Sequence, residues 1–259
     1  MKKPLSLVIT TFNNAETICP CIASAPFADD ILVLDSFSQD GTPDLAKSSG
    51  ARIVQEAFRG YGAQKQRAVD LARHDSILLL DADESLDDVL ARQIETLCSS
   101  NTEIKAYRML REEWLYWRWP GRGTRLTDHL RLFDRRRVQF GDHPVHAAVE
   151  YSGHSPVLRG RLRHHGHRNI AGQLDRINAY TTGGASLPPA ATADHPGLRM
   201  VLSPSAAFLR EYLLRRQFLN GWAGFIAARM AAWHAFLRHA KKMEQQRTGD
   251  RKTGFESHP

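Results

Sequence analysis

The stretch "SILLLDADES", residues 76 to 85, runs four apolar residues directly into Asp81, Asp83 and Glu84. Carboxylates this close raise one another's proton affinity unless a cation relieves them. Three chemistries suit such a strand end. The acids are solvated helix caps, or an aspartyl-phosphate pair with Asp81 as nucleophile, or oxygen ligands for Mg2+ or Mn2+ shared with substrate phosphates. A calcium loop of the EF-hand kind is excluded, because its sixth and twelfth positions counted from Asp81 hold Leu86 and Arg92 instead of Gly and Glu. An aspartyl-phosphate pair belongs on the first strand of its domain, whereas three apparent strands precede this one.

Those strands define what must position the acids. "LSLVITT", "ILVLD", "RIVQ" and "ILLLD" alternate with helical patterns at Ala15 to Ala25, Thr42 to Ser49, Ala63 to Arg73 and Asp87 to Leu97. Continuous apolar strands separated by helices predict an α/β fold with a parallel sheet covered on both faces. Ligands of such sheets sit beyond the carboxyl ends of the strands. Thr10, Thr11 and Asn13 end the first strand, Asp35 and Asp40 follow the second, and Asp81 and Asp83 the fourth. The same rim thus gathers the polar groups of a nucleotide site. Neither GxGxxG nor GxxxxGK[ST] occurs, which disfavours a dinucleotide fold and a P-loop.

Residues 101–170 are rich in Arg, His and Trp with weak periodicity, which predicts short strands and long loops in the second half of one catalytic domain begun by residues 1–100. Residues 171–204, with "GGASLPPAATADHPG", read as a linker or mobile loop. From 205 to 259 apolar residues recur every three or four positions among arginines and lysines, predicting one long amphipathic helix, or two broken near Gly221 and Gly224. The net charge of +7 belongs to the end of the chain: residues 199–259 hold 11 Lys+Arg against 4 Asp+Glu, leaving 24 against 24 before them. Cys19, Cys21 and Cys98 form neither a CxxC pair nor an even set, which indicates a reducing compartment. The opening "MKKPLSLVITTFNN" reads as a first strand rather than a signal peptide, and no apolar run reaches the length of a membrane span.

The ordered series "SLVITTFNN", "ILVLDSFSQDGT", "GYGAQKQRAVDLA" and "ILLLDADE" resembles family 2 of the nucleotide-sugar glycosyltransferases, with a GT-A fold. With "LRLFDRR", "PVH", "RHHGHR" and the basic tail, it is most similar to the glycosyltransferases of lipopolysaccharide core assembly. The resemblance implies that Thr10, Thr11, Phe12 and Asn13 lie along the nucleoside, that Asp35 accepts from a uracil N–H, and that Lys65 stands near the nucleotide. On spacing alone Lys65 reads as an ordinary exposed helix lysine. Asp81 and Asp83 match the family's D-x-D, with Asp83 on the metal and Asp81 toward the ribose or the metal's water shell; Glu84 is a weaker match. His164 would meet the metal or diphosphate from the other side, and Arg131 a phosphate or the acceptor. Zinc at the histidines is disfavoured by the absence of nearby Cys.

The implied reaction is inverting transfer from a nucleotide sugar, UDP-linked by resemblance, to a lipopolysaccharide core or other lipid-linked glycan. A base must take the acceptor's proton. Related sequences read Val-His-Glu where this chain has Val145-His146-Ala147, which leaves Asp142, His146 and Glu150, with Asp142 preferred. The basic helices suggest an anionic membrane surface as partner, hence a cytoplasmic protein peripheral on the inner face of the inner membrane. Nucleic acid is not expected, since no reader module is present. The alternatives are the phosphatase using Asp81 and Asp83, and a non-catalytic nucleotide- or membrane-binding module.

Overall fold

In the computed structural model, residues 2–100, 104–141, 149–167, 169–185 and 196–254 are described. The first half alternates strands and helices: β1 (Leu5–Thr11), α1 (Ile18–Ala23), β2 (Asp30–Asp35), α2 (Thr42–Ser48), β3 (Arg52–Gln55), α3 (Tyr61–Asp70), β4 (Ser76–Asp81), a short β5 (Glu84–Leu86) and α4 (Asp88–Ser99). β6 (Ala106–Leu115), β7 (Thr127–Asp134), β8 (Gln139–Phe140), β9 (Val149–Glu150) and β10 (Val157–His167) follow, then helices α5 (Ile170–Ala185), α6 (Pro196–Leu209) and α7 (Gly221–Gly254). An eight-stranded sheet has the order β3-β2-β1-β4-β7-β6-β10-β5. β3, β2, β1 and β4 are parallel to their neighbours among themselves, and β7 turns antiparallel against β4.

The apolar runs of the parallel strands have two destinations. Leu7, Ile9, Leu78 and Leu80 face one core with Ile18 and Ile22 of α1 and Leu90 and Ile94 of α4. Val8, Leu32, Ile77 and Leu79 face the other with Ala68 and Val69 of α3. Alternation along the strand sends successive side chains to opposite faces, and both faces are covered, so the sequence reads as unbroken hydrophobics.

Two units are distinguished: Met1–Glu113 with Leu126–Gly166, and Trp114–Arg125 with His167–Pro259. Two expectations differ from what is observed. Where only short strands are expected, residues 106–167 hold, beside the short β8 and β9, three long strands of ten, eight and eleven residues. Their alternation is hidden because one face carries Arg111, Glu113, Arg131 and His164 in place of apolar groups. Residues 171–204, expected as linker, carry most of α5 and the first part of α6; among the described residues, Gly and Pro there fall at or near helix ends, apart from Pro204 inside α6. The break between the C-terminal helices falls where glycine suggested, at Gly221.

Candidate active site

The acids of β4 are met by the protein's own cations. Asp81 Oδ1 lies 2.6 Å from Lys65 Nζ, and its Oδ2 lies 2.7 Å from Arg131 Nη2. Arg131 also reaches Glu84 Oε1 at 2.6 Å, and Arg111 Nη1 stands 3.4 Å from the same oxygen. Glu84 Oε2 accepts from the backbone N–H of Asp81 at 3.0 Å. Asp83 Oδ2 is 3.3 Å from His164 Nε2, while His164 Nδ1 pairs with Glu113, which in turn pairs with Arg111 Nε at 2.7 Å. Four carboxylates, Asp81, Asp83, Glu84 and Glu113, therefore stand among Lys65, Arg111, Arg131 and a protonated His164. The formal charge of the cluster is zero.

Backbone geometry explains who meets whom. β5 pairs with β10 so that Glu84 opposes His164, and the N–H of His165 donates to the carbonyl of Asp83 at 2.9 Å. In β7 the register passes from Tyr107↔Leu132 to Arg108↔Leu130, leaving Arg131 as the extra residue of a bulge. Bulges re-aim side chains, and this one sends the guanidinium into the acids. Lys65 is reached by the packing of α3 and is buried, with only 11% of its side chain exposed. The ordinary exposed lysine that spacing alone suggested is thereby corrected: burial here is stabilised by its carboxylate partner.

Electrostatics follow from these contacts. Burial alone would raise the Asp81 carboxyl, but Lys65, Arg131 and His164 hold it well below the usual carboxylate range. Burial disfavours charge on His164 too, yet the hydrogen bonds to Asp83 and Glu113 push it up to about 10. His129, on the same strand as Arg131, is driven down to about 3 by burial, Arg111 and Arg131, and so is neutral at pH 7. Both oxygens of Asp81 are thus engaged by buried cations.

At the neighbouring strand ends, Thr10 Oγ1 donates to Asp81 Oδ1 at 3.5 Å and Thr11 Oγ1 to Asn14 Oδ1 at 3.2 Å. Phe12 is 58% exposed. Asn13, in the left-handed region at φ 53°, donates its N–H to Ser38 Oγ and accepts from Gln39 N–H. Asp35 is fully buried; its carboxylate accepts from the N–H and hydroxyl of Ser38 and from Gln55 Nε2. It thus ties the loop after β2 to the end of β3. The base candidates Asp142 and His146 lie outside the described residues, and Glu150 is in β9 with only its backbone described.

Arg111, Glu113, His129 and Gln55 were not singled out by sequence reasoning. The one usable signal was the two-residue spacing of Arg111 and Glu113 in "LREEWL", which puts both on one face of a strand.

For a divalent cation, Asp83 Oδ2 and His164 Nε2 are the fitting pair. Their 3.3 Å separation suits two neighbouring ligands, and Glu113 on the far ring nitrogen is the carboxylate that orients metal-bound imidazoles. Among the described residues, no group of three or more His, Cys, Asp or Glu side chains is disposed to hold a metal. Asp81 and Glu84 are committed elsewhere, so the remaining ligands would come from phosphates and water, as is usual for Mg2+. Arg131 Nε, buried with no partner among the described residues, is a further donor in the same place.

A mixed α/β sheet with acids at the end of its fourth strand is the GT-A architecture, and the protein is a glycosyltransferase. Residues 6–153 match the model of glycosyl transferase family 2, and the chain belongs to that family. It is 30% identical to the lipopolysaccharide core biosynthesis glycosyltransferase LpsC of Rhizobium meliloti, over 93% of this chain and 92% of that one. It is 27% identical to an uncharacterized glycosyltransferase of Rickettsia prowazekii, covering 92% of this chain and 86% of the relative. Among solved structures, the mannosyltransferase PcManGT of Pyrobaculum calidifontis, in complex with GDP-Man and Mn2+, superposes with a TM-score of 0.54. That match has 15% identity and covers 94% of this chain and 88% of the other.

Proposed function

We propose that the protein is an inverting, divalent-metal-dependent transferase that moves a sugar from a nucleoside diphosphate, UDP in the first instance, to a lipopolysaccharide core or similar lipid-linked glycan. The observation that carries this reading is the Asp83–His164–Glu113 chain beside the Asp81 ion pairs. The likeness to LpsC along nearly the full length supports the acceptor class.

Asp83 and His164 would hold Mg2+ or Mn2+, which when bound supplies charge neutralisation for the departing diphosphate. His164 must give up its Nε2 proton for this, and Glu113 keeps the ring oriented while it does. Replacing that proton with a divalent ion takes the cluster from zero to a formal +1, the sign that suits an anionic leaving group. Lys65 and Arg131 hold Asp81 ionised and fixed at the end of β4. Thr10 to Asn13 and Asp35 form the adjoining nucleoside edge, and the neutral His129 adds no charge of its own.

In the transfer, a bond forms between the acceptor hydroxyl oxygen and the anomeric carbon as the bond from that carbon to the diphosphate oxygen breaks. The electron pair leaves with the diphosphate, and the hydroxyl proton goes to a base, for which Asp142 is our assignment ahead of His146 and Glu150. A lipid-linked acceptor implies work at a membrane surface on the cytoplasmic side. No helix among the described residues is long and apolar enough to cross a membrane; the association proposed is a peripheral one through the basic C-terminal helices.

The test is a thermal-shift panel of UDP- and GDP-sugars with and without Mn2+. A donor at a hundred times its dissociation constant should add about 2.7 kcal/mol. Asp83→Ala should remove the metal-dependent part. Stabilisation by no nucleotide under any metal condition refutes the reading.

A further inference from the structure

Half of the exposed large apolar side chains among the described residues, eleven of twenty-two, lie between Leu198 and Trp233. All belong to the helical unit. Along α6, Leu198, Val201, Leu202 and Leu209 are 51–66% exposed. At 3.6 residues per turn these four fall within about 100° of arc. Ala207, on the opposite side, is buried. The helix is amphipathic with its leucine stripe turned outward.

The chain then bends through a built elbow. A π-helical turn, Arg210–Leu214, presents Leu213 and Leu214 at 52% and 67% exposure. A 3-10 turn, Gln217–Asn220, follows, and α7 opens with Trp222 at 76%. Asn220 is buried and locks the bend: its Oδ1 accepts from the N–H of Gly121 at 2.6 Å, and its Nδ2 donates to Gln217 Oε1 at 2.8 Å. Gly224 permits the close crossing, since a Cβ there would lie 1.9 Å from the Gln217 carbonyl oxygen. The outward leucines are therefore held by ordered structure.

Charge identifies the partner. Residues 196–233 contain five arginines against one glutamate, and the segment 114–125 anchored through Asn220 adds three arginines, three tryptophans and no acid. Leucines for hydrocarbon, indoles for the interface and guanidiniums for lipid phosphates are the components of an interfacial anchor. We propose that the α6–α7 elbow inserts into an anionic bilayer, led by Leu213, Leu214 and Trp222. This deepens the membrane association in the proposed function and relocates it, because Lys241 of the basic helix end is already bound to Asn178 and Thr182 of α5.

The experiment is co-sedimentation of the full chain with mixed phosphatidylglycerol–phosphatidylcholine vesicles and with pure phosphatidylcholine vesicles. Wild type should bind the anionic vesicles more tightly, and salt should weaken that binding. Leu213→Ser with Leu214→Ser should weaken it at least about tenfold, the loss expected when two leucines leave an apolar phase. Lys241→Gln with Lys242→Gln should change it far less. Unchanged binding by the leucine variant, an equal loss in the lysine variant, or no binding by wild type would overturn the proposal. So would a wild-type dimer in light scattering that the leucine variant dissolves, since the elbow would then cover a second copy of the chain. Circular dichroism and the nucleotide-sugar thermal shift, run on the same variants, separate failure of this surface from failure of the donor site or of folding.

Discussion

Replacing Arg131 with Met decides whether its guanidinium is chiefly an internal counter-ion or a substrate contact. The change keeps most of the side-chain bulk and removes the charge that lies 2.7 Å from Asp81 Oδ2 and 2.6 Å from Glu84 Oε1. Glu84 has no exposed side-chain surface and would be left with Arg111 at 3.4 Å as its cation. Stripping one partner from a buried pair costs about 3–5 kcal/mol, because the other charge stays desolvated. For a chain of this size that corresponds to a melting temperature lower by roughly 6–20 °C. The assay is thermal and urea unfolding of Arg131→Met, Glu84→Gln and the double variant. The double variant should recover at least about 1 kcal/mol relative to additivity, since an amide at position 84 needs no counter-ion. A single variant within about 1 kcal/mol of wild type, with its loss confined to the KM for the nucleotide sugar, would refute the counter-ion argument and return Arg131 to the phosphate role.

Two histidines with opposite shifts set a pH optimum of stability. His129, depressed to about 3 when folded, binds more protons in the unfolded chain between about pH 3 and 6.5, so its contribution is lost as pH falls through that window. His164, raised to about 10, stabilises fully below about 6.5 and loses its contribution as pH rises toward 10. Each limb should approach about 1.4 kcal/mol per pH unit, and urea unfolding across pH should show His129→Gln flattening the acid limb and His164→Gln the alkaline one. Gly160 sits in β10 at φ 97°, and a Cβ there would lie 2.5 Å from the N–H nitrogen of Leu90 and 2.6 Å from Oδ1 of Asp87, the N-cap of α4. Gly160→Ala should cost about 2–4 kcal/mol, from backbone strain and a broken cap; chemical denaturation that finds less than about 1 kcal/mol would contradict the tight approach of β10 to α4.

The parallel half of the fold was legible because strands buried on both faces read as unbroken apolar runs, and the segments between them carry helical patterns. That same regularity put Thr10, Asp35 and Asp81 on one rim. The antiparallel half was less legible. Its strands carry Arg111, Glu113, Arg131 and His164 on one face, and these charged residues replace the apolar alternation that announces a strand. Lys65 looked exposed because nothing local reports that α3 lays it against the end of β4. Nothing local to Asp35 reports that Ser38 and Gln55 donate to its carboxylate.

By itself the sequence determined the kinds of group and their order: apolar strands, acids past their ends, a basic leucine- and tryptophan-rich C-terminal region, and a chain of the glycosyl transferase 2 type. Only the tertiary structure decided which charges neutralise which. Arg131 meets Asp81 across fifty residues, and Glu113 meets His164 across fifty-one. These pairings rest on a one-residue bulge in β7 and on the β5–β10 register, and a shift of one position in either would turn the side chains to the other face. The outward stripe of α6 has the same origin. Its spacing marks an amphipathic helix, but only packing against Ala207 shows that the leucines are the side left open.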